Sequence, residues 1–279
     1  MITRFAPSPT GPLHLGHAFS AITAFDMAQA MGATFLLRIE DIDQQRSKPA
    51  WEAQIFDDLH WLGLTWQTPV MRQSERLPAY RAALERLWDM GLLYPCTCSR
   101  RDIMDAASAP QEGARLGPDG IVYPGTCRHT HPRTGPLPDG AMRLDMAKAC
   151  AMAKALVFDE TGPEHAGTHD PSPHHLIHDV GDVVLARRDF GTSYHLAVVV
   201  DDAAQGVTHV VRGVDLFEAT VIHVLLQALL ELPQPLYHHH RLIRDNTGRR
   251  LAKRDDARAI ALYRGEGASP QDIRTMVGL

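Results

Sequence analysis

Apolar positions in the first forty residues fall into three unlike patterns. Residues 2–6 make a short strand-like run, which Pro7, Pro9, Gly11 and Pro12 bring to an end. Residues 16–31 are rich in alanine, with Ala18, Ile22 and Asp26 spaced by four, a helical repeat closed by Gly32. Residues 34–39 are almost continuously apolar, as expected of a strand covered on both faces. Strand, helix and strand in this order predict a βαβ unit and hence a parallel sheet. Helical spacing returns at 50–62 and 77–90.

Beyond Gly91 the pattern changes. Stretches 107–140 and 161–175 carry Gly, Pro, Asp and His, with the loop dipeptides Asp119-Gly120, Pro124-Gly125 and Asp139-Gly140. Regular structure resumes at 194–200 and 208–211, followed by a long apolar helix over 216–232. From His238 onward the chain is polar and basic. The expected organisation is a first half of an α/β domain at 1–91, an insertion at 92–185, a second half at 186–240 and a C-terminal segment, partly helical, at 241–279. No internal repeat is visible.

The 279 residues include 44% hydrophobic and 22% charged ones, enough to bury a core, so disorder and fibrous repeats are excluded. No apolar run approaches the roughly 20 residues of a membrane span. The N-terminus lacks a basic stretch followed by an apolar one, so no secretory signal is read there and a cytoplasmic protein with no membrane partner is expected. Lys and Arg number 28 against 33 Asp and Glu, a formal charge of −5. Such a balance argues against a uniformly basic RNA-binding surface but allows a local one, for which Arg187/Arg188, Arg241/Arg244 and Arg249/Arg250/Lys253/Arg254 are candidates. There is neither a Gly-x-x-x-x-Gly-Lys-[Ser/Thr] loop nor a Gly-x-Gly-x-x-Gly turn, so P-loop and dinucleotide chemistry have no support.

Candidate chemistry is densest between Arg4 and His17. The turn after the first strand enters a helix start at His14-Leu15-Gly16-His17, where free N–H groups and the helix dipole attract phosphate. Gly16 permits close approach, and two imidazoles offer donors that can follow charge developing on a phosphoryl group. Cys96-x-Cys98 and Cys127 supply three thiolates, for which metal binding outranks a disulfide in a cytoplasmic protein. Structural zinc takes four ligands. Tyr123 and His129 both compete for the fourth place, and chemistry alone favours the imidazole. Cys150, in an Ala/Met-rich stretch, reads as a small buried hydrophobe. The histidines at 165–178 and at 238–240 read as solvated, composition-biased segments.

His14-Leu15-Gly16-His17 resembles the "HIGH" motif of class I aminoacyl-tRNA synthetases. The preceding residues 4–11 are similar to the form found in the glutamyl/glutaminyl branch. Residues 37–43 with Arg46, and residues 211–216, are similar to two further blocks of that branch in the same order. The second class I motif, "KMSKS", is present in altered form as Arg250-Leu251-Ala252-Lys253-Arg254. The chain runs only a short way past Arg254, and it resembles most closely the stand-alone paralogs of glutamyl-tRNA synthetase that form the glutamyl-Q tRNA(Asp) synthetase family.

The resemblance implies an α/β fold: a Rossmann-like class I synthetase core with a parallel sheet, a zinc-containing insertion, a KMSKS-like loop and a short C-terminal helical segment, without an anticodon-binding domain. It implies activation of L-glutamate by ATP, then transfer of glutamate to the queuosine base in the anticodon of tRNA(Asp). His14, Gly16, His17 and Lys253 would hold ATP, with Mg²⁺ assisting pyrophosphate departure, and His14, His17 and Lys253 would act in catalysis. Arg4, Phe5, Ala6, Pro7, Ser8, Glu40, Tyr194 and Arg212 would bind glutamate, Arg4 and Arg212 on carboxylate and Glu40 on the ammonium. The resemblance turns the fourth zinc ligand toward Tyr123, beside Cys96, Cys98 and Cys127. A monomer is expected. Two alternatives stay open: a truncated glutamyl-tRNA synthetase that charges a tRNA 3′ end, and a non-catalytic, zinc-containing tRNA-binding paralog.

Overall fold

Strands β1 (Ile2–Phe5) and β2 (Thr34–Ile39) pair in parallel, from Ile2 opposite Thr34 to Phe5 opposite Leu37, and helix α1 (Leu15–Ala30) crosses between them. This is the βαβ unit expected from the apolar pattern. The computed structural model describes residues 1–108, 114–244 and 258–279. Helix α2 (Pro49–Trp61) follows, then β3 (Met71–Arg72), parallel to β2, and α3 (Leu77–Asp89). Pro49 and Pro78 sit in the first turns of their helices, where a missing N–H costs nothing.

Next come β4 (Leu93–Pro95), α4 (Arg100–Ser108), the small hairpin β5 (Leu116–Gly117) and β6 (Gly120–Ile121), β7 (Met142–Leu144) and α5 (Met146–Met152). Strands β8 (Phe158–Glu160) and β9 (Gly167–His169) lead through a helical turn, α6 (Pro173–His175), to β10 (Val184–Ala186). β4, β7 and β10 form an antiparallel sheet with β7 in the middle.

Helix α7 (Tyr194–Ala204), β11 (His209–Gly213), α8 (Thr220–Leu229) and β12 (Leu236–His240) complete the second half, before α9 (Ile260–Gly265) and α10 (Pro270–Val277). β11 and β12 are parallel, and β8 joins β12 in parallel at Glu160 and Tyr237. β11 also runs beside β1, tied by the Thr208 N–H to the Ile2 carbonyl at 3.0 Å. The C-terminal ends of β1, β2, β11 and β12 therefore open on the same side.

Apart from a small cluster around Tyr94, Cys96, Tyr123 and Cys127, residues 92–185 pack on the second half. Leu93, Met142, Leu144, Phe158 and Leu185 share one buried cluster with Leu196, Val198, Leu225 and Tyr237 of the second half. A second cluster joins α1, β2 and α2 with Ile260 and Ile273 from the C-terminal helices. The apolar run read as a helix over 216–232 divides into a tight turn at Val214–Leu216 and the helix proper from Thr220. Burial recruits apolar residues in both, so the sequence pattern does not register the break.

Candidate active site

The start of α1 is built by its two histidines. His14 Nδ1 accepts from the Gly16 N–H, and His17 Nδ1 accepts from the His14 N–H, each at 3.1 Å, a reciprocal cap. An Nδ1 that accepts leaves the proton of a neutral ring on Nε2, so the caps fix both imidazoles as Nε2–H donors. The ring centroids lie 3.8 Å apart. A side chain at 16 would meet His14 Cε1 at 3.0 Å, which is why glycine stands inside the cap. The Leu13 carbonyl accepts from the Ile260 N–H at 2.8 Å, so the chain just after the second motif runs beside this helix start. Lys253 itself, with Arg250, Ala252 and Arg254, lies outside the described residues.

Two buried guanidinium groups from adjacent strands are held in opposite ways. Arg4, on β1, donates from Nε and Nη2 to the two oxygens of Asp202 at 3.1 and 3.3 Å, and from Nη1 to the Val211 carbonyl. Asp202 also receives Arg38 Nη1 at 2.7 Å, while Arg38 Nη2 reaches Glu40 at 3.2 Å. Burial would raise the Asp202 carboxyl, but the charges of Arg4 and Arg38 bring it down to about 2. Glu40 moves the other way: burial raises it despite Arg38 and Arg4.

Arg212, at the end of β11, is 6% exposed and has no carboxylate in contact among the described residues. Its Nε donates to His239 Nε2 at 2.9 Å, Nη1 to His223 Nδ1 at 3.0 Å, and Nη2 to Thr220 Oγ1 at 2.8 Å and the Leu216 carbonyl at 3.3 Å. Tyr237 lies under the guanidinium, 5.5 Å from ring centroid to Cζ. His239 gives its Nδ1–H to Glu160, which also accepts from the backbone N–H groups of His239 and Gly162. These hydrogen bonds overcome burial and bring Glu160 down to about 2, while burial takes His239 to about 4. Burial and the Arg212 charge push His223 well below the ordinary histidine range. Gly162 is pressed against this corner; a Cβ there would stand 2.2 Å from the His239 carbonyl and 2.6 Å from Glu160 Oε1.

Tyr194, at the N-terminus of α7, feels all of these charges: burial raises its hydroxyl, opposed by Arg212 and Arg4 and reinforced by Glu40 and Asp202. The fold thus brings together Arg4, Phe5, Ala6, Pro7 and Ser8 at the end of β1, Glu40 after β2, Tyr194 and Arg212. Pro7 is joined to Glu40 directly, its carbonyl accepting the Glu40 N–H at 3.0 Å. Residue-by-residue reading missed Arg38, Asp202, His223, His239, Glu160 and Thr220. His238–His240, expected to be solvated, form strand β12 with His239 1% exposed, because β12 is an inner strand between β11 and β8. His165 and His169 also pack, on Phe217 and Phe158 respectively.

The cysteines converge away from this pocket. The sulfurs of Cys96, Cys98 and Cys127 all lie within 4.8 Å of one another. The Tyr123 hydroxyl stands 3.6 Å from Cys96 Sγ and 3.3 Å from Cys98 Sγ, and accepts the Cys127 N–H at 2.9 Å. His129 is exposed and outside the cluster. Arg143, also missed in the sequence, donates to Cys96 Sγ at 3.3 Å and lies 3.8 Å over the Tyr123 ring. Burial raises Cys98 to about 11; at Cys127 burial is outweighed by hydrogen bonds from Tyr123 and Thr97, and the thiol falls to about 6.

Comparison with known proteins agrees with this geometry. The family described as tRNA synthetases class I (E and Q), catalytic domain, matches residues 1–279. A glutamyl-Q tRNA(Asp) synthetase of Rhodobacter capsulatus is 69% identical over 281 residues, covering all of both chains, and one of Nocardia farcinica is 42% identical over 98% of this chain and 82% of its own. A glutamate tRNA ligase from Elizabethkingia meningosepticum, solved in complex with its amino acid, superposes over the whole chain with a TM-score of 0.77 at 26% identity. This chain spans 60% of that ligase's length. A methionyl-tRNA synthetase from Mycobacterium tuberculosis shares the fold alone, at 10% identity and a TM-score of 0.57. The chain belongs to the class I tRNA synthetases of the E and Q type.

Proposed function

We propose that this protein activates L-glutamate with ATP, releasing pyrophosphate, and passes the glutamyl group to queuosine in the anticodon of tRNA(Asp). The observation that carries the reading is Arg212. A buried guanidinium surrounded by neutral imidazoles, a hydroxyl and a carbonyl keeps its positive charge available to an anion, and burial without a countercharge is otherwise costly. A substrate carboxylate supplies that countercharge. Identity of 69% to a full-length glutamyl-Q tRNA(Asp) synthetase supports the same substrate.

Activation is the in-line attack of an already ionised carboxylate on the α-phosphate of ATP, taken as its Mg²⁺ complex, so positioning and charge neutralisation do the work. His14 and His17 present Nε2–H donors at the N-terminus of α1, and Gly16 lets phosphate approach the backbone. Lys253 is assigned to the same phosphates through its motif. Arg212 takes a glutamate carboxylate, Glu40 the ammonium, and Tyr194 with residues 4–8 closes the pocket; Arg4, whose fork is taken by both oxygens of Asp202, frames the pocket instead of offering a free charge to the substrate.

The donor set of Cys96, Cys98, Cys127 and Tyr123 fits one zinc ion, with soft thiolates predominating and Arg143 offsetting their negative charge. Zinc would supply folding energy to this part of the insertion. Elemental analysis of protein prepared without chelator should find one zinc per chain, lost in Tyr123→Phe more than in His129→Ala.

The test of function is ATP–pyrophosphate exchange, run with and without tRNA. Glutamate should support it and glutamine should not: the α-carboxylate is the attacking group, Arg212 is assigned the side-chain carboxylate, and an amide in its place leaves Arg212 without an anion, a loss of about 1.5–3 kcal/mol. Labelled glutamate should then reach tRNA(Asp) carrying queuosine even after its 3′ nucleotides are removed. Transfer that disappears with the 3′ end identifies a glutamyl-tRNA synthetase of ordinary acceptor instead.

A further inference from the structure

We propose that Asp119, acting through His195 and His223, is a positioning residue for the Arg212 guanidinium. The proposal rests on the reading of Arg212 as the carboxylate site.

The chain of contacts runs from the pocket into the insertion. His223 Nδ1 meets Arg212 Nη1 at 3.0 Å, His223 Nε2 meets His195 Nδ1 at 3.1 Å, and His195 Nε2 stands 3.3 Å from Asp119 Oδ1. His223 and His195 are 2% and 6% exposed. Asp119 lies in the turn between β5 and β6, with its side chain 31% exposed, on the wall of a cavity of about 710 Å³ that also touches Cys96, Tyr123 and Arg187.

The direction of every proton follows from one fact: a guanidinium only donates. His223 Nδ1 must therefore offer a lone pair, and a neutral His223 carries its proton on Nε2. That proton points at His195 Nδ1, which accepts and so places the His195 proton on Nε2, facing the Asp119 carboxylate. The other arm obeys the same rule. Arg212 Nε donates to His239 Nε2, so His239 is protonated on Nδ1 and donates to Glu160. Burial, which keeps His223 and His239 neutral, agrees with both assignments.

Arg212 is thus gripped from two sides by imidazoles, each backed by a carboxylate that never touches it. A carboxylate in direct contact would fix the fork equally well but would compete with the substrate for it. The relay orients the group and leaves its charge for the ligand. It also makes a residue of the insertion part of the amino-acid pocket.

The experiment uses the full chain and the exchange reaction, with glutamate and ATP varied separately. Asp119→Ala should raise the KM for glutamate about three- to ten-fold, the range of one lost hydrogen bond, with the KM for ATP and the thermal midpoint unchanged. Asp119→Asn, which retains an accepting oxygen, should recover most of the loss. His195→Phe should raise the same KM, and the double variant with Asp119→Ala should be no worse than His195→Phe alone. Long-range ¹H–¹⁵N spectra of histidine-labelled protein should show His223 and His195 protonated on Nε2 and His239 on Nδ1. An unchanged glutamate KM in Asp119→Ala, an equal rise in the KM for ATP, or Nδ1–H at His223 overturns the proposal. If Arg212→Gln leaves the glutamate KM unaltered, the reading of Arg212 itself fails, and the spectra still report on the relay.

Discussion

Arg4 and Arg212 enter the pocket from neighbouring strands and are almost equally buried, at 5% and 6% exposure, yet their surroundings are opposite. Arg4 shares Asp202 with Arg38, and with Glu40 the four charges sum to zero. Arg212 has imidazoles where Arg4 has a carboxylate. The difference matches the roles proposed for them: a guanidinium already neutralised is suited to holding strands together, whereas one held by neutral groups keeps its charge for an incoming anion.

The largest effect that would test this contrast concerns Asp202. Asp202→Ala strands two buried guanidinium groups and should lower stability by about 3–5 kcal/mol in denaturant unfolding. A loss below about 1 kcal/mol would mean that Asp202 does not anchor the sheet ends.

A second buried aspartate provides the inverse case. Asp58 of α2 is fully buried, and neither of its oxygens has a hydrogen-bond partner among the described residues. Burial, with a smaller contribution from Asp57, raises its carboxyl from 3.8 to about 6. Between these values the folded chain holds a proton that the unfolded chain has released, so stability falls as pH rises through that window. Asp58→Asn should remove this loss, gaining on the order of 3 kcal/mol relative to the parent at pH 7 and little at pH 4. Equal gains at both pH values would show that ionisation is not the cause. Asp202 and Glu160, held at about 2, behave in the opposite sense: their contribution is complete above about 4 and is lost only toward pH 2.

Next in size is the direct comparison of the two arginines. Arg212→Gln should lower kcat/KM for glutamate by about 1.5–3 kcal/mol, or 10- to 150-fold, with a small change in midpoint. Arg4→Gln should show the reverse balance, a lower midpoint with a smaller kinetic defect. Identical profiles would erase the distinction between them. The smallest effect belongs to Thr220, whose hydroxyl accepts from Arg212 at 2.8 Å; Thr220→Val should raise the glutamate KM by roughly 2- to 10-fold.

Legibility in the sequence follows the same division. The βαβ unit was readable almost to the residue, because 2–6 and 34–39 are compact apolar runs bounded by turn residues and 16–31 carries a helical repeat between them. His14, His17 and the cysteines were readable because their ligand or capping partners lie within a few positions or in a recognisable spacing. The side chains that touch Arg212 come from α8 and β12, the carboxylate behind His239 lies 79 residues away on β8, and no local pattern joins them. His239 was misread for a simple reason: three histidines in a row look polar, and only the pairing of β12 with both β11 and β8 reveals an inner strand. Asp202 lies in the last turn of an apolar helix next to Asp201, where a solvated position is the ordinary expectation; its burial depends on Arg4 and Arg38, both distant in sequence.

Gly162 sets a boundary on how this pocket can vary. Its Cα sits so close to the His239 carbonyl and Glu160 that any side chain would have to displace backbone, not merely another side chain. Replacement there would shift β12 and with it one of the two arms on Arg212. Variation of the pocket at this corner is therefore closed at position 162 and has to arise at other positions. Among laboratory-selected variants with changed substrate range, position 162 should remain glycine throughout.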